Sequence, residues 1–127
     1  MIDKRQMTQT DNERWLELLR ECILHGMLFK AAMWDLAMIS RQPLKISYRA
    51  ILEELSRWAE REHNRIKATL RQNGYELAGA QKQGGFYAVR FRERGYYREA
   101  VYSVEVLRSE CHKLVDRWVE QRREGSR

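Results

Sequence analysis

A single proline and seven glycines in 127 residues leave little room for long loops, so the chain must consist mainly of long regular elements. Cysteine is scarce too. Cys22 and Cys111 stand far apart with no CxxC spacing, which excludes a disulfide-stapled secreted scaffold. Both lie among apolar residues and read as small, reduced core side chains. The opening stretch "MIDKRQMTQTDNERW" has no apolar segment of the kind a signal peptide needs. The most apolar run, "CILHGMLFKAAMWDLAMI", is broken by His25, Lys30 and Asp35, and two charges within it argue against a membrane span. A cytoplasmic protein with no membrane partner is expected. Catalytic signatures are lacking as well. Gly84-Gly85 has no lysine and helix behind it, so it is not a phosphate loop. Cys111 and His112 are neighbours, so on a helix they diverge by about a hundred degrees and cannot act as nucleophile and base. No acid, base and nucleophile converge, so no catalytic residue, cofactor or enzyme activity is expected.

What is present fits one soluble domain over residues 1–127, with flexible ends at 1–10 and 122–127. Apolar residues make up 43% and charged residues 33%, too apolar for a disordered chain. Lys and Arg number 24 against 18 Asp and Glu, and the net charge of +6 favours a polyanion such as nucleic acid, or an acidic partner.

The spacing predicts a mainly α fold: three long helices, with a β-hairpin between the second and third. "TDNE" reads as a capping box, with Thr10 and Glu13 starting a first helix that runs from about Asp11 to Ile39. Trp15, Leu19, Cys22, Phe29, Met33 and Leu36 form one stripe, while Leu16, Ile23, Met27, Trp34 and Met38 fall outside it. A helix so apolar must be covered on more than one side. Pro43 ends it, and Ser47 caps a second helix reaching Gln72, closed by Asn73-Gly74. Two alternating runs flank Gly84-Gly85, as in a tight hairpin. After that turn Tyr87, Val89 and Phe91 point one way, and Phe86, Ala88, Arg90, Arg92 and Arg94 the other. A third helix is predicted from about Tyr97 to Gln121, on the stripe Tyr97, Ala100, Val104, Leu107, Cys111, Leu114 and Trp118.

The order of these features from Pro43 to Val119 carries a resemblance. A proline precedes "LKISYRAILEELSRWAEREHNRIKATLRQNGYEL", a hairpin follows with "FYAVRF" as its second strand, and "RGY" leads to the last helix. This resembles a group of small helical proteins from spore-forming Firmicutes. The resemblance implies a bacterial cytoplasmic origin and brings no activity, cofactor or site residue with it.

Three candidate surfaces follow. The first is basic. Arg90, Arg92 and Arg94 share a predicted strand face with Phe86, and Lys82 lies on the preceding strand. Arg57, Arg61 and Arg65 recur every fourth residue along helix 2. Arginines in a row can track phosphates, and Phe86 can stack on a base. The plainer account of the helical set is a solvated face laced by pairs such as Glu53–Arg57. The second surface is apolar: Ile23, Met27, Trp34 and Met38, off the main stripe of helix 1, would pack two copies into a homodimer. The third is a metal set. Glu60-x-x-His63 has the spacing used in helical di-iron bundles, and Glu21 and His25 share a face of helix 1. The alternative is a pair of hydrogen-bonded core histidines, and four such ligands fall short of a di-iron set, so no metal is expected.

Overall fold

The protein is described by a computed structural model over residues 4–39 and 46–125, with side chains over 13–38 and 49–125. The elements run α1 (Lys4–Ile39), α2 (Ile46–Gln72), β1 (Tyr75–Gln83), β2 (Phe86–Glu93), β3 (Tyr96–Ser103) and α3 (Val104–Gly125). The predicted break at Pro43 lies outside the described residues.

Helix α1 is the axis of the molecule, and its two apolar sides face two cores. On one side Leu19, Cys22 and Ile23 meet Ile66 and Leu70 of α2 and Tyr75, Val89 and Phe91 of the sheet. On the other, Leu24, Leu28 and Ala32 meet Leu55 and Ala59 of α2 and Leu107, Leu114 and Trp118 of α3. This double coverage is what the all-round apolar pattern of α1 requires. Arg20 of α1 also pairs with Glu110 of α3, 3.0 Å apart.

Helix α2 stops at Gln72 as its sequence indicates. Gly74 sits at φ 87°, the left-handed conformation that a helix-ending glycine adopts at little cost. Helix α1, by contrast, does not begin at the Thr10 capping box. It is already helical at Lys4, and no glycine or proline from Lys4 to Glu13 interrupts it.

The hairpin is in fact a three-stranded antiparallel sheet in the order β1-β2-β3. Gly84-Gly85 makes the first turn, with Gln83 opposite Phe86. Arg94-Gly95 makes the second, and both residues have positive φ, 49° and 90°, as a two-residue turn of the I′ kind demands. Residues Tyr97–Ser103, predicted as the first turns of helix 3, therefore form most of β3. Their true period is two: Arg98, Ala100 and Tyr102 pair with Phe91, Val89 and Tyr87 on the inner face, and Tyr97, Glu99 and Val101 point outward. Helix α3 starts only at Val104, where the Ser103 hydroxyl accepts from the Val106 amide at 3.4 Å and Glu105 favours the positive helix start. It continues to Gly125, so Arg122 and Arg123 belong to the helix. Across the sheet, Glu93 accepts from Tyr75 Oη at 2.9 Å and pairs with Arg98 at 2.6 Å, tying all three strands together. No described helix is long and apolar enough to cross a membrane.

Candidate nucleic-acid interface

The inner face of β2 is buried, with Val89 and Phe91 in the core. By alternation its other residues face away from the helices, and the strands on either side extend that outer face. Arg90 lies between Gly79 of β1 and Glu99 of β3, and Arg92 between Glu76 and Tyr97. Ala88 lies between Gln81 and Val101, and Phe86 between Gln83 and Ser103. No helix covers this surface: Phe86 is 59% exposed and Tyr97 72%.

Two features set the character of this face. The Arg92 guanidinium sits 5.4 Å over the Tyr97 ring, a cation–π contact that holds both in place while leaving them in solvent. Neither Arg90 nor Arg92 is in an ion pair with any described residue, so both remain free to meet an anion. Glu76 and Glu99 lie beside them, so the face carries little net charge.

The predicted basic set divides over several surfaces. Arg94 is not on β2. It sits in the second turn, its amide donates to the Gly74 carbonyl at 2.8 Å, and its side chain leans on Gly74. Lys82 is opposite Tyr87 and so belongs to the inner register of the sheet. Arg57 and Arg61 line a cleft between α2 and α3 with Trp58 and Trp118, and Arg65 is held by Glu62 at 2.6 Å. Sequence reasoning missed Tyr97, because it was placed on a helix. The period-two signal of "YYREAVYS" would have found it.

The apolar set also divides. Trp34 and Met38, one turn apart on α1, are exposed, 71% and 51%. Ile23 and Met27 are not part of that surface: Ile23 is in the sheet-side core, and Met27 packs against both cores. The helix turns these two towards the core residues of α2 and the sheet.

The metal candidates do not converge, and among the described residues no three possible ligands cluster. The antiparallel pairing does bring His63 level with His25, since His63 packs on Gly26. The two rings nevertheless serve different partners. His25 Nδ1–H donates to the Glu21 carbonyl at 2.7 Å, and its ring meets Trp58 edge-on at 5.2 Å. His63 Nδ1–H donates to the Cys22 carbonyl at 2.7 Å, crossing from α2 to α1. Glu60 remains exposed. Burial pushes the Cys22 thiol up to about 11, only partly offset by Lys67, and raises Cys111 as well. Thiols held protonated in this way are structural, not nucleophilic.

A protein-family model described as "YhjD protein" matches residues 9–123, almost the whole described fold. The chain belongs to the YhjD protein family. No curated protein and no solved structure matches it. The family matched here spans all three helices and the sheet, so the outer face of that sheet lies within it.

Proposed function

We propose that this YhjD-family protein is a small, non-catalytic cytoplasmic protein that binds single-stranded nucleic acid on the outer face of its sheet. The observation that carries the reading is the pairing, on one open face, of two exposed aromatic rings with two arginines engaged by no acid. Bases splayed from a single strand stack on such rings, and arginines beside them meet the phosphates. Phe86 and the Arg92–Tyr97 pair are six residues apart along β2, about 20 Å, which gives a strand several nucleotides to lie along. The overall charge of +6 draws polyanions to the surface.

Fluorescence anisotropy with a short labelled single strand tests this. Two phosphate contacts give a slope of log affinity against log salt of about −1.4. Tyr97→Ala should weaken binding by about 1–3 kcal/mol, the worth of one stacked base. Changing Arg90 and Arg92 together to Ala should flatten the salt slope. Unchanged affinity and slope in both variants would remove the sheet from the reading.

A second reading rests on Trp34. With Met38, one turn on, it forms an exposed apolar patch on the last turns of α1, and monomers seldom leave large apolar patches in water. A two-fold homodimer would pack the patch against itself. Sedimentation velocity should then show a dimer that Trp34→Glu converts to a monomer. A wild-type monomer at high protein concentration would end this reading.

A further inference from the structure

Between α1, α2 and the β1 edge of the sheet lies a groove of about 550 Å³, within the roughly 300–1,000 Å³ typical of small-molecule sites. Its walls are apolar: Ile23, Met27 and Phe29 of α1, Leu77 of β1, and Tyr87 and Val89 of β2. β1 shifts register between Leu77 and Gly79, so the strand bends at this wall, as bulged strands do beside binding sites.

The polar lining comes from α1 and α2. Lys30 and Glu60, one from each helix, are exposed and cancel in charge. Asn64, also exposed, and His63 complete the polar lining, and the orientation of the His63 ring is fixed. Gly26 has no side chain, and a Cβ there would come within 3.0 Å of His63 Nδ1, so glycine is what lets the ring approach α1 this closely. Because Nδ1–H is committed to the Cys22 carbonyl, a neutral ring presents Nε2 as a bare acceptor. Among the described residues no group bonds Nε2, and no side-chain nitrogen or oxygen is buried without a partner. Nε2 therefore reaches open space, and the groove is the space that His63 borders.

We infer that this groove binds an uncharged, apolar small molecule carrying one hydroxyl, which donates to His63 Nε2 while its hydrocarbon body lies between Met27 and Leu77. The site is separate from the outer face of the sheet and does not depend on the nucleic-acid reading. A net-neutral rim gives an ionised ligand no advantage, and a fixed acceptor at the end of an apolar trough selects a donor.

Para-butylphenol is a suitable probe, followed by heteronuclear NMR on the full chain. It should give saturable shifts at Met27, Leu77 and Ala80, and should move the His63 Nε2 resonance. Butylbenzene, which lacks only the hydroxyl, should bind about fivefold more weakly, the worth of about one neutral hydrogen bond. Para-butylbenzoate, with a carboxylate in its place, should not bind more tightly than the phenol. Ala80→Trp, which fills the groove from an exposed position, should abolish binding and leave the spectrum otherwise folded. No saturable shift with the phenol, equal affinity for butylbenzene, tighter binding of the benzoate, or full affinity in Ala80→Trp would each overturn the inference. Groove shifts that change on diluting the protein alone would give the groove to a second copy, and would overturn it too.

Discussion

Phe91→Ala should lower the stability of the protein by about 3–5 kcal/mol, the usual cost of truncating a buried aromatic ring. Phe91 is 2% exposed and lies in the sheet-side core, where α1, α2 and the sheet meet. Removing its ring leaves a cavity that two long helices and three paired strands cannot easily close. Its neighbour Arg92 points the other way. Arg92→Ala loses only the contact over Tyr97 and should cost about 0.5–1 kcal/mol. Denaturant melts of the two variants give the ranking. A larger loss for Arg92→Ala would mean that the two faces of β2 are inverted, and the proposed interface would fall with them.

The second large effect is a loss of stability at alkaline pH. Burial pushes the Cys22 thiol from 9.0 up to about 11. Tyr75 moves from 10.0 to about 12, chiefly through burial, with its hydrogen bond to Glu93 and the nearby Glu93 charge adding to it. Both shifts are upward, so the unfolded chain gives up these protons first. The stability they contribute is complete below pH 9, declines as Cys22 and then Tyr75 titrate in the unfolded chain, and is gone by about pH 12. Two pK units correspond to on the order of 2–3 kcal/mol for each group. Cys111 and Tyr102 shift in the same direction and add to the trend. Melts just below pH 9 and near pH 11 should differ by several kcal/mol, and Cys22→Ala should remove the earlier part of the fall. A flat profile across that window would contradict the burial assigned to both groups.

How legible these features were depended on whether the signal was local. The faces of β2 could be read from period two alone, and Gly84-Gly85 announced its turn because glycine favours the positive φ such turns need. The next turn uses Arg94 at φ 49°, where asparagine or aspartate would be the usual sign, and so it was hidden. With that turn unseen, Tyr97, Ala100 and Val104 fell on a helical spacing by coincidence and extended the predicted α3 backwards through a strand. The same omission concealed how the outer face is composed. Tyr97 comes beside Arg92, and Glu99 beside Arg90, only when β3 pairs with β2. The double coverage of α1 was legible from composition, because an apolar helix in a small domain has few alternatives. The start of α1 was not, since a capping box permits a helix to begin but does not oblige it to. The groove at His63 has no sequence signature. It arises where two helices and a bent strand edge meet, and Gly26 carries no sign of the ring that packs on it.

Chemical-shift mapping with a short oligouridylate decides whether a single strand binds the outer face of the sheet as proposed. Backbone and aromatic resonances of Phe86, Ala88, Arg90, Arg92, Tyr97, Glu99 and Val101 should move together and saturate, and should return as salt is raised. The inner-face residues Val89 and Phe91 should move little. Shifts confined to Arg57, Arg61 and the cleft beside Trp118, or no shifts at low salt, would contradict binding on this face.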